Sequence, residues 1–123
     1  MAEKGSKHVL IVDDDPFLTE MYTLSLTKEH VQIEVAHNGK DAIAKIEKRR
    51  PDVMLVDLLM PVMDGFTFLT HYNEKKWNFP VIVLSNITEK TDQDRCLDLG
   101  ATDFFPKSET DLEKLRHKVK KYL

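Results

Sequence analysis

The sequence predicts an α/β fold built on a doubly wound parallel sheet with helices on both faces. Five short runs rich in β-branched residues alternate with five longer segments whose apolar residues recur every three or four positions. The connections are short, and neither a repeat nor a low-complexity tract interrupts the alternation. Five strands fit the flavodoxin-like order 2-1-3-4-5 better than the six-stranded order of dinucleotide-binding domains.

The elements of the first half begin and end at recognisable residues. Asp15 and Pro16 predict the N-cap and first residue of the first helix, and apolar side chains then recur at helical spacing to Leu26. Gly39 opens a second helix, which ends before Pro51 because proline disfavours the α conformation in the preceding residue. The predicted strands are His8–Val12, Gln32–Ala36 and Val53–Asp57, of which the last is the most apolar.

The second half continues the same alternation. Pro61 and Gly65 mark the loop before a third helix. A polar fourth helix runs from about Glu89 to Leu99, and Gly100 ends it as a glycine in the C′ position. The predicted strands are Val81–Leu84 and Asp103–Phe105, and the final helix carries Leu112, Leu115, Val119 and Leu123.

The composition excludes several classes of protein. At 123 residues the chain has room for one domain, which we place at residues 8–123 after a short polar segment, residues 1–7. A net charge of -3 argues against nucleic acid as a direct partner, and the apolar runs are too short to span a membrane. The single cysteine, Cys96, excludes an internal disulfide and fits a reducing compartment. Because the start lacks the apolar region of a signal peptide, we expect a cytoplasmic location.

Acidic residues follow the two strands that the predicted order places side by side at the centre. The first strand runs into Asp13 and Asp14, and the third ends at Asp57. Ligands of such sheets bind at the carboxyl ends of the strands, near the point where the strand order reverses. Like charges meeting there resist ionisation unless a cation compensates them, and oxygen ligands of this kind suit Mg²⁺.

The fourth and fifth strands bring complementary groups to the same edge. Ser85 follows the fourth strand and Lys107 follows the fifth. A hydroxyl and an ammonium can hold anionic oxygens such as those of a phosphoryl group. Together with a carboxylate nucleophile and a metal, they indicate a phosphoryl-transfer site in which an aspartate is the acceptor.

The chain resembles the receiver domains of bacterial two-component response regulators, in particular the single-domain receivers of the chemotaxis type. The resemblance covers the chain from about His8 to Leu123. No single matching segment is specific, but five in the right order, each at a strand end, are highly specific. The matching segments are Val12-Asp13-Asp14, Val56-Asp57-Leu58-Leu59-Met60-Pro61 with Asp64-Gly65, Val83-Leu84-Ser85, Gly100-Ala101-Thr102-Asp103-Phe104, and Lys107.

The resemblance implies an acceptor and a metal site. Asp57 would take a phosphoryl group from a phosphohistidine on a sensor histidine kinase or a phosphotransfer protein. Asp14 would bind Mg²⁺ directly and Asp13 mostly through water, with Asp57 and the backbone carbonyl of Leu59 as further ligands.

The resemblance also implies a conformational switch. Ser85 would bind a phosphoryl oxygen and move toward it, Lys107 would pair with another, and Phe104 matches the aromatic residue that rotates inward. Phosphorylation would reshape the face made by the fourth helix, fifth strand and fifth helix. A downstream protein or an effector domain outside this chain would read that face. Dimerisation is a weaker expectation, for which Asp103 and Arg116 are the candidate residues.

Two other functions remain open at this point. The same fold could act as an adaptor that needs no phosphorylation, although the acceptor, metal and lysine positions are all intact. A Mg²⁺-dependent phosphatase with an aspartyl-phosphate intermediate would place an Asp-x-Asp motif on its first strand and add a cap domain for the substrate. Here Asp13 and Asp14 are followed directly by Asp15-Pro16, and the chain leaves no room for a cap domain. We therefore expect a phosphoacceptor rather than an enzyme.

Two departures from the family pattern matter for mechanism. The family follows its lysine with proline in a cis peptide bond, whereas Ser108 follows Lys107 here. Since a cis bond costs about 2.5 to 4 kcal/mol before a residue other than proline, we predict a trans bond or a strained cis one. Leu59 and Asn86 flank the path of a hydrolytic water, and the bulk of Leu59 predicts a long-lived acyl phosphate.

Overall fold

The computed structural model describes residues 7–60, 62–86, 89–108 and 111–123. The strands are β1 (His8–Val12), β2 (Gln32–Ala36), β3 (Val53–Asp57), β4 (Val81–Leu84) and β5 (Asp103–Phe105). The helices are α1 (Pro16–Leu26), α2 (Gly39–Lys48), α3 (Gly65–Glu74), α4 (Lys90–Asp98) and α5 (Leu112–Lys121). The strands form one parallel sheet in the order β2-β1-β3-β4-β5, which confirms the predicted fold.

The sheet has a helical layer on each face. The side chains of α2, α3 and α4 pack on one face with alternate strand residues such as Val12, Val56 and Val83. Those of α1 and α5 pack on the other face, against residues such as Ile11 and Leu55. The strands β1, β3 and β4 are buried on both faces, which is why they read as continuous apolar runs.

Several predicted helix ends are confirmed by their capping contacts. The carboxylate of Asp15 accepts hydrogen bonds from the N–H groups of Phe17 and Leu18 at the start of α1. After α4, Gly100 has a φ of +110°, a conformation that glycine adopts without strain. The predicted position of Pro61 in the loop before α3 lies outside the described residues, as does most of the polar segment 1–7.

The structure adds features that the sequence pattern does not predict. A 3₁₀ turn, Thr27–Glu29, extends α1. Val62 has a φ of +69° and is 77% exposed. An aromatic cluster lies between the end of α3 and the start of β4, where Trp77 contacts the rings of Tyr72 and Phe79. Trp77 is therefore buried at the amino ends of the strands.

No helix within the described ranges is both long and apolar enough to cross a membrane.

Candidate functional site

Three aspartates meet at the carboxyl ends of β1 and β3. Val12 pairs with Val56 in the parallel ladder, so the residues that follow them, Asp13 and Asp57, lie side by side. One carboxylate oxygen from each of Asp13, Asp14 and Asp57 lies within 4.8 Å of the others. Asp13 and Asp57 are buried, whereas Asp14 is exposed. The structure thus brings together the three acids that the sequence predicts.

Lys107 crosses from the end of β5 to these carboxylates. Its Nζ lies 3.0 Å from Oδ2 of Asp57, to which it donates a hydrogen bond, and 3.2 Å from Oδ2 of Asp13. Burial alone would lower the pKa of Lys107, but this hydrogen bond and the two negative charges outweigh burial and raise it. The lysine is therefore charged and partly neutralises the acidic cluster.

The buried carboxylate of Asp13 accepts fewer hydrogen bonds than the buried carboxylate of Asp57. Its Oδ1 accepts a hydrogen bond of 3.0 Å from the N–H of Asp15, while its buried Oδ2 accepts no well-directed hydrogen bond and has only the ion pair with Lys107. Burial raises the pKa of Asp13, and the charge of Asp57 raises it further. A buried carboxylate oxygen without a full set of donors, next to two more carboxylates, fits a divalent cation with a preference for oxygen.

The loop after β3 orients Asp57. The N–H of Leu59 donates to Oδ1 of Asp57 over 3.2 Å, while the Leu59 side chain is 80% exposed. Gly65, at the start of α3, donates its N–H to the carbonyl of Leu58. A Cβ at Gly65 would lie 2.7 Å from the backbone oxygen of Asp57, so glycine is required for this close approach.

A cavity of about 590 Å³ opens over these groups. Ser85 and Asn86, which follow β4, lie on its wall with Leu59 and Lys107. The N–H of Ser85 donates to the carbonyl of Phe105 over 3.0 Å, which extends the pairing of β4 with β5 by one bond. The predicted phosphoryl-binding side chains therefore line the same cavity as Asp57.

The peptide bond between Lys107 and Ser108 is trans, the first of the two alternatives that the sequence left open; the described residues contain no cis bond. The N–H of Ser108 donates to Oδ1 of Asn86 over 2.9 Å. The sequence pattern does not predict this contact, which joins two residues 22 positions apart in the chain.

Phe104 lies further from the acceptor, at the edge of the sheet. Its side chain is half-buried and packs on the face that carries α2, α3 and α4. Its carbonyl accepts a hydrogen bond of 2.9 Å from Nζ of Lys118, which also donates to Asp103. The hydroxyl of Tyr122 donates to the second oxygen of Asp103.

Asp103 and Arg116, the candidate residues for dimerisation, form ion pairs within the chain. Burial alone would raise the pKa of Asp103, but hydrogen bonds from Phe104, Tyr122 and Lys118 outweigh burial and lower it. Arg116 pairs with Glu113, one turn before it in α5. Both candidate residues for dimerisation thus have partners within their own chain.

Sequence reasoning missed two other polar contacts. The ring Nδ1 of His37 donates to the backbone oxygen of Asp13 over 3.1 Å, across 24 residues. Lys118 belongs to a basic run at the end of α5, and its side chain contacts β5. The only indication in the sequence is that Lys118 lies one helical turn before Tyr122, a spacing that places both side chains on the same side of the helix.

Comparisons with known proteins agree on one family. The chain matches the family model described as "Response regulator receiver domain" over residues 9–120. It is 42% identical over 120 residues to a protein-glutamate methylesterase/protein-glutamine glutaminase of Bacillus subtilis, a match that covers 94% of this chain and 33% of that protein. It is 37% identical over 106 residues to the transcriptional regulatory protein TrcR of Mycobacterium tuberculosis, covering 86% of this chain and 41% of that protein. The chain spans less than half the length of these two curated relatives.

Solved structures show the same similarity over nearly the whole chain. The chemotaxis protein CheY4 of Vibrio cholerae superposes with a TM-score of 0.87 at 30% identity, covering 97% of this chain and all of that one (100%). The receiver domain of the Francisella response regulator 1452 gives a TM-score of 0.87 at 26% identity, covering 95% of this chain and 96% of that one.

Proposed function

The chain belongs to the response regulator receiver family, and from this premise we propose that Asp57 accepts a phosphoryl group and that the domain is a phosphorylation-controlled switch. The observation that carries this proposal is the meeting of three carboxylates, with oxygens within 4.8 Å of one another, against the ammonium of Lys107. A buried carboxylate held between a neighbouring cation and an open cavity is suited to act as a nucleophile.

The donor is a phosphohistidine on a sensor histidine kinase or a phosphotransfer protein. An oxygen of Asp57 attacks the phosphorus in line with the leaving imidazole. The new O–P bond forms as the P–N bond breaks, and the electron pair stays on the imidazole nitrogen. The product is an acyl phosphate on Asp57. The hydrogen bond from Leu59 to Oδ1 orients the carboxylate, which leaves Oδ2 and Lys107 on the same side.

Mg²⁺ is the cofactor that fits the donor set. Asp13, Asp14 and Asp57 would hold it, with the backbone carbonyl of Leu59 as a further ligand, and the poorly satisfied Oδ2 of Asp13 supports this assignment. When bound, the ion offsets the negative charge that gathers on the transferring group. Lys107 then pairs with a phosphoryl oxygen, and its ammonium already lies 3.0 Å from the acceptor oxygen.

The switch couples the acceptor to the face formed by α4, β5 and α5. Ser85 binds a second phosphoryl oxygen and moves toward it, and the ring of Phe104 follows. The phosphoryl group shifts the population toward the active state only by as much as it binds that state more tightly. A downstream protein or an effector domain reads this face. The domain is expected to act in the cytoplasm, where its buried free thiol, Cys96, stays reduced.

An adaptor role that needs no phosphorylation is the second candidate. It makes a different prediction for the acceptor, because its partner would bind Asp57→Asn as well as the wild type. A phosphatase would instead release phosphate repeatedly from a phosphomonoester.

Labelling with radioactive acetyl phosphate and Mg²⁺ tests the proposal directly. The wild type should take up about one phosphoryl group per chain, as expected for a single aspartyl nucleophile. Asp57→Asn should take up none, and chelation of Mg²⁺ should abolish labelling. Asp64→Asn is the matched control, since it removes a nearby carboxylate while asparagine still caps α3. Equal labelling of the Asp57→Asn chain would refute the assignment.

A further inference from the structure

We propose that Asn86 and the backbone N–H of Ser108 form a clamp that positions Ser85 and Lys107 together for phosphoryl binding. The inference rests on the proposed function, since it assigns a role within the same site. Asn86 is a positioning residue in this scheme: it acts through the two loops that it joins, while Ser85 and Lys107 touch the phosphoryl group.

The clamp lies where the sheet stops. Leu84 pairs with Phe105 at the end of the β4–β5 ladder, and the N–H of Ser85 adds one bond to the carbonyl of Phe105. Beyond that bond, the chain after β4 and the chain after β5 leave the sheet. The 2.9 Å hydrogen bond from the N–H of Ser108 to Oδ1 of Asn86 joins them there. One polar side chain thus continues the connection after the backbone ladder has ended.

The clamp depends on a residue that departs from the family pattern. Proline has no N–H, so a proline after Lys107 could not donate to Asn86. Ser108 supplies that donor, and the bond that joins it to Lys107 is trans. Asparagine carries its acceptor on a short side chain with few rotatable bonds, so little freedom is lost when it bonds a neighbouring loop. Asn86 and Ser108 therefore supply the acceptor and the donor of one contact.

The clamp can position Ser85 and Lys107 because it joins the residues that directly follow them in the chain. Asn86 is the neighbour of Ser85, and Ser108 is the neighbour of Lys107. The ammonium of Lys107 must stay near Asp57 while its backbone follows β5, an edge strand that pairs on one side only. Fixing the backbone at residue 108 limits the positions that the ammonium can reach. When Ser85 moves toward a phosphoryl group, the clamp carries the lysine loop with it.

The expected consequence is weaker binding of a phosphoryl mimic when the clamp is broken. We use beryllofluoride at saturating Mg²⁺ as the probe, on the full 123-residue chain. Asn86→Ala removes the acceptor and Ser108→Pro removes the donor. Each should weaken beryllofluoride binding about two- to threefold, the low end of the range for one hydrogen bond, because this bond is exposed to solvent. Affinity for Mg²⁺ alone should not change, because the aspartates of the metal site lie on other loops.

Three controls separate positioning from a general structural effect. Ser108→Ala keeps the backbone N–H and should bind beryllofluoride as the wild type does. The double variant Asn86→Ala with Ser108→Pro should lose no more affinity than either single variant, since both break the same bond. Solvent exchange of the Ser108 amide proton, measured by NMR, should be faster in Asn86→Ala than in the wild type.

The outcomes distinguish failure of the clamp from failure of the proposed function. If the wild type binds beryllofluoride and both single variants bind it equally well, the clamp has no positioning role. Additive losses in the double variant would also overturn the clamp, because independent effects add. If the wild type binds no beryllofluoride in the presence of Mg²⁺, the proposed function itself fails and the positioning role fails with it.

Discussion

At the scale of single residues, Lys107 determines how far the negative charge of the site is neutralised. Three carboxylates would repel one another strongly in this space, and the lysine contacts the two that are buried. In the proposed function the same ammonium must also pair with a phosphoryl oxygen. Its two ion pairs, 3.0 and 3.2 Å long, leave it close enough to do so without a large movement.

Leu59 is the residue through which we expect the lifetime of the acyl phosphate to be set. Its side chain is 80% exposed on the wall of the cavity, in a position to obstruct a water that approaches the phosphorus. Leu59→Asn should speed autodephosphorylation several-fold, since asparagine is smaller and can hold a water by hydrogen bonding. Loss of radioactive phosphate over time measures the rate. Leu24→Asn, another exposed leucine but on α1, is the control; an unchanged or slower rate in Leu59→Asn would contradict the idea.

Val62 stores backbone strain in the loop that leads to α3. Its φ of +69° is unfavourable for a β-branched residue, and the side chain is too exposed to gain much from packing. Val62→Gly should raise the free energy of unfolding by about 0.5 to 1 kcal/mol, after allowing for the greater freedom of glycine in the unfolded chain. Urea unfolding followed by circular dichroism measures this. Val62→Ala keeps a Cβ and should gain less; a destabilised Val62→Gly would show that the strain is absent.

Sequence reasoning predicts the residues of the site better than their contacts. Asp13, Asp57 and Lys107 are predictable because each follows a strand, and the strand order determines which ends meet. The bond between Ser108 and Asn86 is not predictable in the same way. Its donor is a backbone N–H, which every residue except proline possesses, so no pattern of side chains marks it.

At the scale of elements, β5 is held to α5 by a polar contact as well as by the core. Lys118 bridges the carboxylate of Asp103 and the carbonyl of Phe104, and Tyr122 holds the other oxygen of Asp103. The free edge of the sheet is therefore tied to the helix beside it. Because Phe104 belongs to this strand, the tie would also limit how β5 can shift in the proposed switch.

This contact predicts a pH dependence of stability. The pKa of Asp103 is lowered below its ordinary value of 3.8 in the folded chain, so its stabilising contribution is complete above that value. The contribution is lost as the pH falls through the lower, folded pKa. The free energy of unfolding of the wild type should therefore fall more steeply on acidification below pH of about 5 than that of Asp103→Asn.

Urea titrations at a series of pH values check this prediction. Tyr122→Phe, which removes one of the hydrogen bonds to Asp103, should show an intermediate slope. Parallel curves for the wild type and Asp103→Asn would mean that the carboxylate contributes nothing to the pH dependence.

At this scale, the boundaries of the strands and helices were predictable to within a residue or two, because they depend on nearby residues such as N-caps, prolines and glycines. The bounds of all five strands match the prediction, and the predicted α4, about residues 89 to 99, is observed at Lys90–Asp98. The 3₁₀ turn after α1 and the inward position of Lys118 were not predictable, since both depend on packing against distant parts of the chain. Tertiary contacts override local pattern in both cases.

At the scale of the whole molecule, the proposed Mg²⁺ site should link binding to stability. A cation that binds only the folded chain stabilises it by mass action, by about 1.4 kcal/mol at ten times its dissociation constant. We therefore expect the free energy of unfolding to rise with Mg²⁺ concentration in the wild type. Asp13→Asn should weaken this dependence, because it removes one buried carboxylate of the proposed site.

Thermal or urea unfolding at constant ionic strength measures the effect. Asp64→Asn should retain the full Mg²⁺ dependence, since Asp64 caps α3 and is not part of the acidic cluster. A similar rise in all three chains would instead indicate general screening of surface charge.

The aromatic cluster at the far end of the sheet also gives the chain an intrinsic fluorescent probe of unfolding. Trp77 is the only tryptophan, is 8% exposed and lies at the amino ends of the strands, whereas the site lies at their carboxyl ends. Its fluorescence should be emitted at short wavelength in the folded chain and move to longer wavelength when unfolding admits water. Filling the site should leave the emission nearly constant. One intrinsic fluorophore can thus follow unfolding without confusing it with ligand binding.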